Sequence, residues 1–178
     1  MAQRLTDKSA LNNHTGTGDL YMVVDVSDTT GSSAGTSKKL DSKFVIQTDK
    51  ISVSNAEILA LRTASKTLVS APGSGYGVIP ISAMAVCTYA APTASGKGAF
   101  YIAHQAGSAT AYASLVSSAM IGETTDNVYK FAGVSNSAMP TRTSSIDNVP
   151  LVLANNSAFD YNGGFTAVIY ITYQIVLL

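Results

Sequence analysis

Residues 165–178, Phe-Thr-Ala-Val-Ile-Tyr-Ile-Thr-Tyr-Gln-Ile-Val-Leu-Leu, form the longest apolar-rich run of the chain and decide its fold class. Every second position from Phe165 to Leu177 carries an apolar or aromatic side chain, and polar residues such as Thr166 and Gln174 lie between them. A period of two residues is typical of a strand that buries one face. The run is also shorter than the roughly 20 apolar residues that cross a bilayer as a helix. We therefore predict a long C-terminal strand and no membrane span.

Upstream of this strand, short β-rich runs alternate with turn residues. Asn162-Gly163 directly precedes the C-terminal strand, and this dipeptide favours a tight hairpin because both residues tolerate positive φ. We therefore predict that the strand at 149–154 pairs antiparallel with the C-terminal strand. Pro72-Gly73 marks a second turn, with a strand expected on each side. The further predicted strands cover residues 66–70, 78–88, 99–104, 111–116 and 128–131.

One segment has a mixed pattern. Ser54 and Glu57 have the spacing of a helix capping box, and the residues that follow, to Ala64, are rich in helix formers. Helix and strand are equally favoured over 55–64. Many short strands with almost no helical periodicity predict a mainly β fold, an antiparallel β-sandwich or jelly-roll-like body with an extended N-terminal arm.

Charged residues divide the chain into two parts. Only 12% of its 178 residues are charged, with 11 Lys+Arg and 11 Asp+Glu, and 12 of these 22 fall within the first 50 residues. We predict a docking arm at 1–50 and a β-sandwich body at 51–178. The arm contains one predicted strand, at 20–26, between Ser/Thr/Asn/Gly-rich loops. One strand buries little apolar surface by itself, so we expect the arm to pack on another protein.

Composition excludes several classes of function. The formal net charge is zero, so the basic surface that binds nucleic acid is missing. The first residues carry no apolar segment of the kind found in secretory signals. One cysteine, Cys87, permits no internal disulfide, and its place among alternating apolar residues predicts a buried thiol.

The sequence offers little for catalysis. The histidines are His14, in the arm, and His104, which ends a predicted strand and is expected at the rim of the sheet. We expect Gly73–Gly77 to be a turn, since no helix pattern and no Lys-Ser/Thr pair follows it. The carboxylates of the body lie mostly in turn sequences, and they are Glu57, Glu123, Asp126, Asp147 and Asp160. We therefore predict no enzymatic activity, no cofactor and no metal site.

The low charge of the body favours assembly instead. Obligate interfaces carry fewer charges than free protein surface does. The chain also has nine tyrosines and no tryptophan, and tyrosine supplies large contact areas at low entropic cost. We expect a homo-oligomer.

The arm carries a resemblance to a known group of proteins. Asp19-Leu20-Tyr21-Met22-Val23-Val24-Asp25-Val26-Ser27-Asp28-Thr29-Thr30, followed by 35–40 (Gly-Thr-Ser-Lys-Lys-Leu), resembles the N-terminal segment of many tailed-bacteriophage virion proteins, including tail fibres and head appendages. Stretches of the body, at 57–61, 68–75, 147–153 and 170–173, are similar to a small β-body of phage structural proteins.

This resemblance implies a structural protein of the virion, assembled in the host bacterial cytoplasm. It would decorate the capsid or form a head fibre, with capsid, portal or tail proteins as partners and a trimer as the implied oligomer. We expect the strand at 20–26 to add to a sheet edge of its partner, and Lys38 and Lys39 to pair with acidic groups. The docking residues implied are Asp19, Leu20, Val23, Val24, Asp25, Val26, Asp28, Thr36, Lys38 and Lys39.

An alternative interpretation is a tail-fibre or adaptor module that binds a glycan of the host cell surface. Tyr101, Tyr112 and Tyr161 are then the candidate platforms on which sugar rings stack. Ordinary packing in strands and turns also explains these tyrosines, because tyrosine is enriched in strands.

Overall fold

The structure is a computed structural model, and it consists of two compact units, Met1–Val45 and Ile46–Leu178. The residues that the structure describes are 20–31, 33, 35–41, 44–90, 95–96, 99–104, 113–117, 125–133, 146–155, 159–160 and 164–178.

The first unit contains a β-hairpin. Strand β1, Leu20–Asp25, pairs antiparallel with β2, Thr36–Asp41, in a register that runs from Leu20 opposite Asp41 to Asp25 opposite Thr36. The predicted strand at 20–26 is confirmed, but the prediction of a single strand in this segment is wrong. The sequence of β2, Thr-Ser-Lys-Lys-Leu-Asp, has no alternation of apolar residues that would mark it as a strand.

The described part of the second unit consists mainly of strands. The predicted strands of the body are confirmed within a few residues at each end, and residues 55–60 are helical. The described elements are β3 Gln47–Val53, α1 Asn55–Ala60, β4 Lys66–Val69, β5 Tyr76–Ala90, β6 Ser95–Gly96, β7 Phe100–His104, β8 Ala113–Ser117, β9 Asn127–Gly133, β10 Leu151–Asn155, β11 Phe159–Asp160 and β12 Gly164–Leu177. Strand β3 lies across the boundary predicted at residue 50.

Eight of these strands form one antiparallel sheet in the order β3-β12-β5-β9-β8-β7-β10-β4. The two halves of the sheet face each other across the core. The rings of Phe100, on β7, and Phe165, on β12, meet edge to face with centroids 6.1 Å apart. Strands β6 and β11 form a separate two-stranded sheet. The predicted fold class, a mainly β antiparallel body, is confirmed.

The predicted hairpin between 149–154 and the C-terminal strand is wrong. Strand β12 pairs with β5 along its whole length, from Gly164 to Leu177, and with β3 on its other side. Strand β10 pairs instead with β4 and β7 in the other half of the sheet. The Asn162-Gly163 signal is local, whereas the pairing of β12 is decided by β5, a strand of 15 residues whose buried face matches that of β12.

The core lies between the two halves of the sheet, and one end of it is covered by α1. Ile58 of α1 and Leu61, which caps the helix, are each 1% exposed. The largest fully buried apolar side chains are Phe100, Ile58, Leu61, Ile102, Leu151, Leu153, Ile169 and Ile171. Cys87 lies in this core, as the sequence predicts.

The turn at Gly73 and Gly75 is hydrogen-bonded to the loop that contains Asp147 and Asn148. Gly73 and Gly75 both have positive φ, and the Tyr76 amide donates to the Gly73 carbonyl at 3.2 Å. The Gly73 amide donates to Asn148 Oδ1 at 3.0 Å, and the Gly75 amide to Asp147 Oδ1 at 2.7 Å. The turn predicted at Pro72-Gly73 is therefore present, and side chains distant in sequence fix it.

Candidate functional site

Four of the predicted docking residues, Asp25, Asp28, Thr36 and Lys38, are linked by hydrogen bonds and an ion pair around the turn that follows β1. Asp25 Oδ1 accepts hydrogen bonds from the Ser27 amide at 3.0 Å, the Ser27 hydroxyl at 2.6 Å and the Asp28 amide at 3.3 Å. The Ser27 hydroxyl and then the Ser27 amide lower the pKa of this exposed carboxyl. Asp25 therefore stays ionised and ends β1 in a well-defined turn.

Asp28 ties this turn to β2. Its Oδ1 accepts from the Thr30 amide and hydroxyl, its Oδ2 pairs with the Lys38 ammonium, and its carbonyl accepts from the Thr36 hydroxyl at 2.8 Å. The Lys38 contact and the Thr30 hydrogen bonds lower the pKa of Asp28 to about 2. In this hairpin Lys38 already has an acidic partner within its own unit, and that partner is Asp28.

The remaining docking residues are placed by their backbone. Val23 lies opposite Lys38 in the hairpin, Val24 lies opposite Ser37, and Lys39 lies opposite Met22. Leu20 begins β1, Val26 follows its end with 75% of its surface exposed, and Asp19 lies outside the described residues. As a two-stranded sheet, the hairpin has an outer edge on each strand that is unpaired within the sheet. Such edges accept further strands.

His104 is buried in the body, so its prediction as a rim histidine is wrong. It is 1% exposed, and its Nε2 lies 2.8 Å from the Val78 carbonyl. A carbonyl only accepts, so Nε2 carries the proton, while Nδ1 has no hydrogen-bond partner among the described residues. His104 ends β7 in sequence, but the fully buried Leu151 of β10 lies beside it. His14 lies outside the described residues.

The described carboxylates of the body support local structure. Glu57 caps α1 and pairs with Lys66, and the Lys66 contact lowers its pKa to about 2. Asp126 Oδ1 accepts the Tyr89 amide at 2.8 Å, and Asp147 holds the Gly75 turn. Asp160 lies in β11, and Glu123 lies outside the described residues. Within the described part of the chain, no three His, Cys, Asp or Glu residues lie close enough to hold a metal ion.

Of the three tyrosines proposed to stack on sugar rings, the structure describes Tyr101. Tyr101 is half-buried on β7, where it lies opposite Ala154 and Val116 in the neighbouring strands. Tyr112 and Tyr161 lie outside the described residues.

A groove that the sequence does not predict lies on the outer face of the half-sheet β3-β12-β5-β9. It has a volume of about 420 Å³ and is lined by Thr48, Ser82, Ala83, Met84, Lys130, Phe131, Tyr170 and Thr172. The register places Lys50, Tyr170, Met84 and Lys130 in one row across the four strands. The Lys50 ammonium lies 5.9 Å from the centroid of the Tyr170 ring.

Hydroxyl groups form the next row of this groove. Thr48 and Thr172 lie opposite each other, with their hydroxyl oxygens 2.9 Å apart, and Ser82 lies on the other side of Thr172. These side chains come from three strands distant in sequence. The alternation within each strand indicates which side chains face outward. Which of these side chains become neighbours in the groove depends on the strand order, which the sequence does not show.

None of the helices in the described residues is both long enough and apolar enough to span a bilayer. No protein-family model matches the sequence, and no curated protein matches it. Among solved structures, a chain from the capsid asymmetric unit of the cyanophage Pam1 aligns with 97% of this chain and 98% of its own length, at 16% identity and a TM-score of 0.38.

Proposed function

We propose that the chain is a non-enzymatic structural protein of a tailed-bacteriophage virion, which decorates the capsid or forms a head appendage. It would be assembled into the virion in the cytoplasm of the host bacterium. Its partners would be capsid, portal or tail proteins, and further copies of itself.

The observation that carries this proposal is the separation of the phage-like segment from the body. Residues 19–30 and 35–40, which resemble the N-terminal segment of virion proteins, fall within the compact unit Met1–Val45. The body has its own core in Ile46–Leu178. An attachment unit joined to a separate β-body is the arrangement that the proposed role requires.

The hairpin also suggests how attachment would occur. A two-stranded sheet alone is marginally stable in water, so a third strand from a partner would stabilise it. β2 carries Lys38 and Lys39, and lysines on an edge strand oppose uncontrolled pairing. Residues 20–24 of β1 carry no charge. We infer that the partner strand adds to β1.

The test compares particles assembled in cells that express tagged versions of the chain. The versions are the full chain, residues 46–178, and the full chain with Arg62→Gln, an exposed body residue outside the proposed attachment unit. Quantitative mass spectrometry of purified particles measures copies per particle. We expect the full chain and the Arg62→Gln variant at equal copy number and residues 46–178 at background.

Two results would count against the proposal, in different ways. Normal incorporation of residues 46–178 would refute attachment through the hairpin. Absence of the full chain from purified particles would refute the virion role itself. A particle reconstruction would then locate the chain at the shell, the portal or the tail.

A further inference from the structure

The groove on the outer face of β3-β12-β5-β9 has the composition of a binding site. Its volume of about 420 Å³ falls in the range of sites for small ligands, roughly 300–1,000 Å³. Its floor combines the side chains of Met84 and Tyr170 with the hydroxyl groups of Thr48, Thr172 and Ser82. The floor is therefore apolar in one row and able to both donate and accept hydrogen bonds in the next.

The charge of this face has one sign. Among the outward-facing described residues of its four strands, Lys50 and Lys130 are the charged side chains, and both are exposed. Asp49 points to the opposite face, where its Oδ2 accepts a hydrogen bond from the buried Tyr173 hydroxyl at 2.9 Å. Three strand spacings of about 4.8 Å separate the two lysines, which places their Cα atoms about 14 Å apart. The face is complementary to an anionic ligand that spans both lysines.

Two kinds of protein occupant fit this face poorly. A second copy docked through the same face by a twofold axis would set lysines against lysines. An extended peptide needs main-chain partners, but β12 and β5 are each paired on both sides within the sheet. A peptide laid across them would leave its own amides without partners.

We propose that this groove binds an anionic oligosaccharide whose sugar carboxylates contact Lys50 and Lys130. The sugar hydroxyls would exchange hydrogen bonds with Thr48, Thr172 and Ser82, and an apolar sugar face would lie on Met84 and Tyr170. This inference goes beyond the virion role and does not depend on it.

The experiment is an NMR titration of the full-length, ¹⁵N-labelled chain with tetragalacturonate. We expect shifts in amide resonances of β3, β12, β5 and β9, saturating at millimolar probe or below. Binding should weaken in 0.5 M NaCl, where the Debye length falls to about 4 Å. The methyl-esterified tetrasaccharide, which has lost its charges, should bind at least tenfold more weakly.

Variants then assign the contact. Lys50→Gln and Lys130→Gln should each raise the dissociation constant about five- to tenfold, since each removes one charge-assisted contact. Arg62→Gln, which makes the same charge change elsewhere in the body, should leave it within twofold. Thermal unfolding of each variant checks the fold, and the ester comparison on the unaltered chain needs no variant.

Several results would overturn the proposal. One is the absence of saturable shifts at 10 mM tetragalacturonate. Another is equal binding of the acid and its ester, or equal weakening by Arg62→Gln. Tighter binding of tetraglutamate than of tetragalacturonate would assign the face to an acidic protein segment instead.

Discussion

Because Gly164 has no side chain, the start of β12 can lie close to Asn55, the first residue of α1. A Cβ atom built on Gly164 would lie 1.7 Å from the Asn55 side-chain oxygen and 2.2 Å from its Cγ. We predict that Gly164→Ala lowers the free energy of unfolding by about 1–3 kcal/mol, because the backbone or Asn55 must move. Urea denaturation of the purified chain measures the change.

Asn55→Ala supplies the control for this clash. Asn55 Oδ1 has no hydrogen-bond partner among the described residues, so Asn55→Ala alone should cost little. The double variant Gly164→Ala/Asn55→Ala should recover more than half of the lost stability. If the two substitutions simply add, the contact with Asn55 is not the reason that glycine is needed at 164.

His104 couples the stability of the core to pH. Burial lowers the pKa of its imidazole below 6.5, since protonation of Nδ1 would place an unpartnered charge in the core. Well above pH 6.5 the ring is neutral in both the folded and unfolded chain and adds no pH dependence. As the pH falls below 6.5, the unfolded chain binds the proton first, so the free energy of unfolding decreases.

The measurement is chemical denaturation at several pH values between 7.5 and 5. His104→Gln keeps a side-chain amide that can donate to the Val78 carbonyl but does not titrate. We expect the stability of this variant to be flatter over the window than that of the unaltered chain. Because His14 is present in both, it cancels in the difference. Parallel profiles would show that another group causes the slope.

At the scale of elements, α1 depends on its N-terminal cap. The Ser54 hydroxyl accepts from the Glu57 amide at 3.3 Å, and the Glu57 carboxylate accepts from the Ser54 amide at 2.8 Å. A helix of six residues cannot rely on propensity alone. We predict that Ser54→Ala lowers the free energy of unfolding by about 1 kcal/mol, measured by urea denaturation at pH 7.

Substitution of Lys66 distinguishes the contribution of the helix cap from that of the ion pair between Glu57 and Lys66. The Glu57 and Lys66 side chains are 39% and 31% exposed, so Lys66→Met should cost less than about 0.5 kcal/mol after allowance for solvent screening. The pKa of Glu57 is lowered to about 2, so its stabilisation is present above pH 4.5 and is lost as the pH falls toward 2. If Lys66→Met lowered the free energy of unfolding more than Ser54→Ala does, the ion pair would contribute more than the cap, and the prediction would be wrong.

The strands differ in how well the sequence predicts them. β5 and β12 bury one face in a sandwich, so apolar side chains recur at alternate positions and mark them clearly. β2 and β3, with sequences TSKKLD and QTDKISV, lack a full apolar face and were missed. The pairing of the strands could not be predicted either, because periodicity identifies the buried face of a strand but not the strand that lies beside it. The predicted pairing of β10 with β12 rested on the Asn162-Gly163 turn signal alone, and it is wrong because a local turn signal does not identify the partner of a long strand.

The candidate sites could likewise be predicted from the sequence only in part. The resemblance marked residues 19–30 and 35–40 as a proposed docking segment, but the contact between Asp28 and Lys38 depends on the hairpin register, which brings together residues ten apart. The groove joins Lys50, Tyr170, Met84 and Lys130 from four strands. Its assembly requires the strand order, which local sequence does not contain.

At the scale of the whole molecule, the uneven distribution of charge has two separate explanations. In the first unit, charged side chains stabilise the hairpin. Asp25 and Asp28 accept hydrogen bonds in the turn, and Lys38 forms an ion pair with Asp28. In the body, Lys50 and Lys130 are the charged residues at the described outward-facing positions of β3-β12-β5-β9, whereas Glu57 and Lys66 pair with each other elsewhere. Low overall charge therefore does not make the surface uniform.

The two units also predict how the chain responds to deletion of residues 1–45. The core of the body is built from side chains of Ile46–Leu178, so residues 46–178 should fold without the hairpin. We expect one cooperative thermal transition with a midpoint within about 2 °C of that of the full chain. Circular dichroism at both far- and near-ultraviolet wavelengths measures it. A fall of 10 °C or more, or loss of the near-ultraviolet signal, would mean that the body depends on the first unit.

The same deletion separates self-association from attachment. If the homo-oligomer forms through the body, residues 46–178 should sediment with the same number of chains as the full-length protein, because the hairpin contributes no part of that interface. Analytical ultracentrifugation over a hundredfold range of concentration measures the number of chains. A full-length oligomer that becomes a monomer on deletion would place the interface in the first unit. Strand addition to β1 would then join sister subunits.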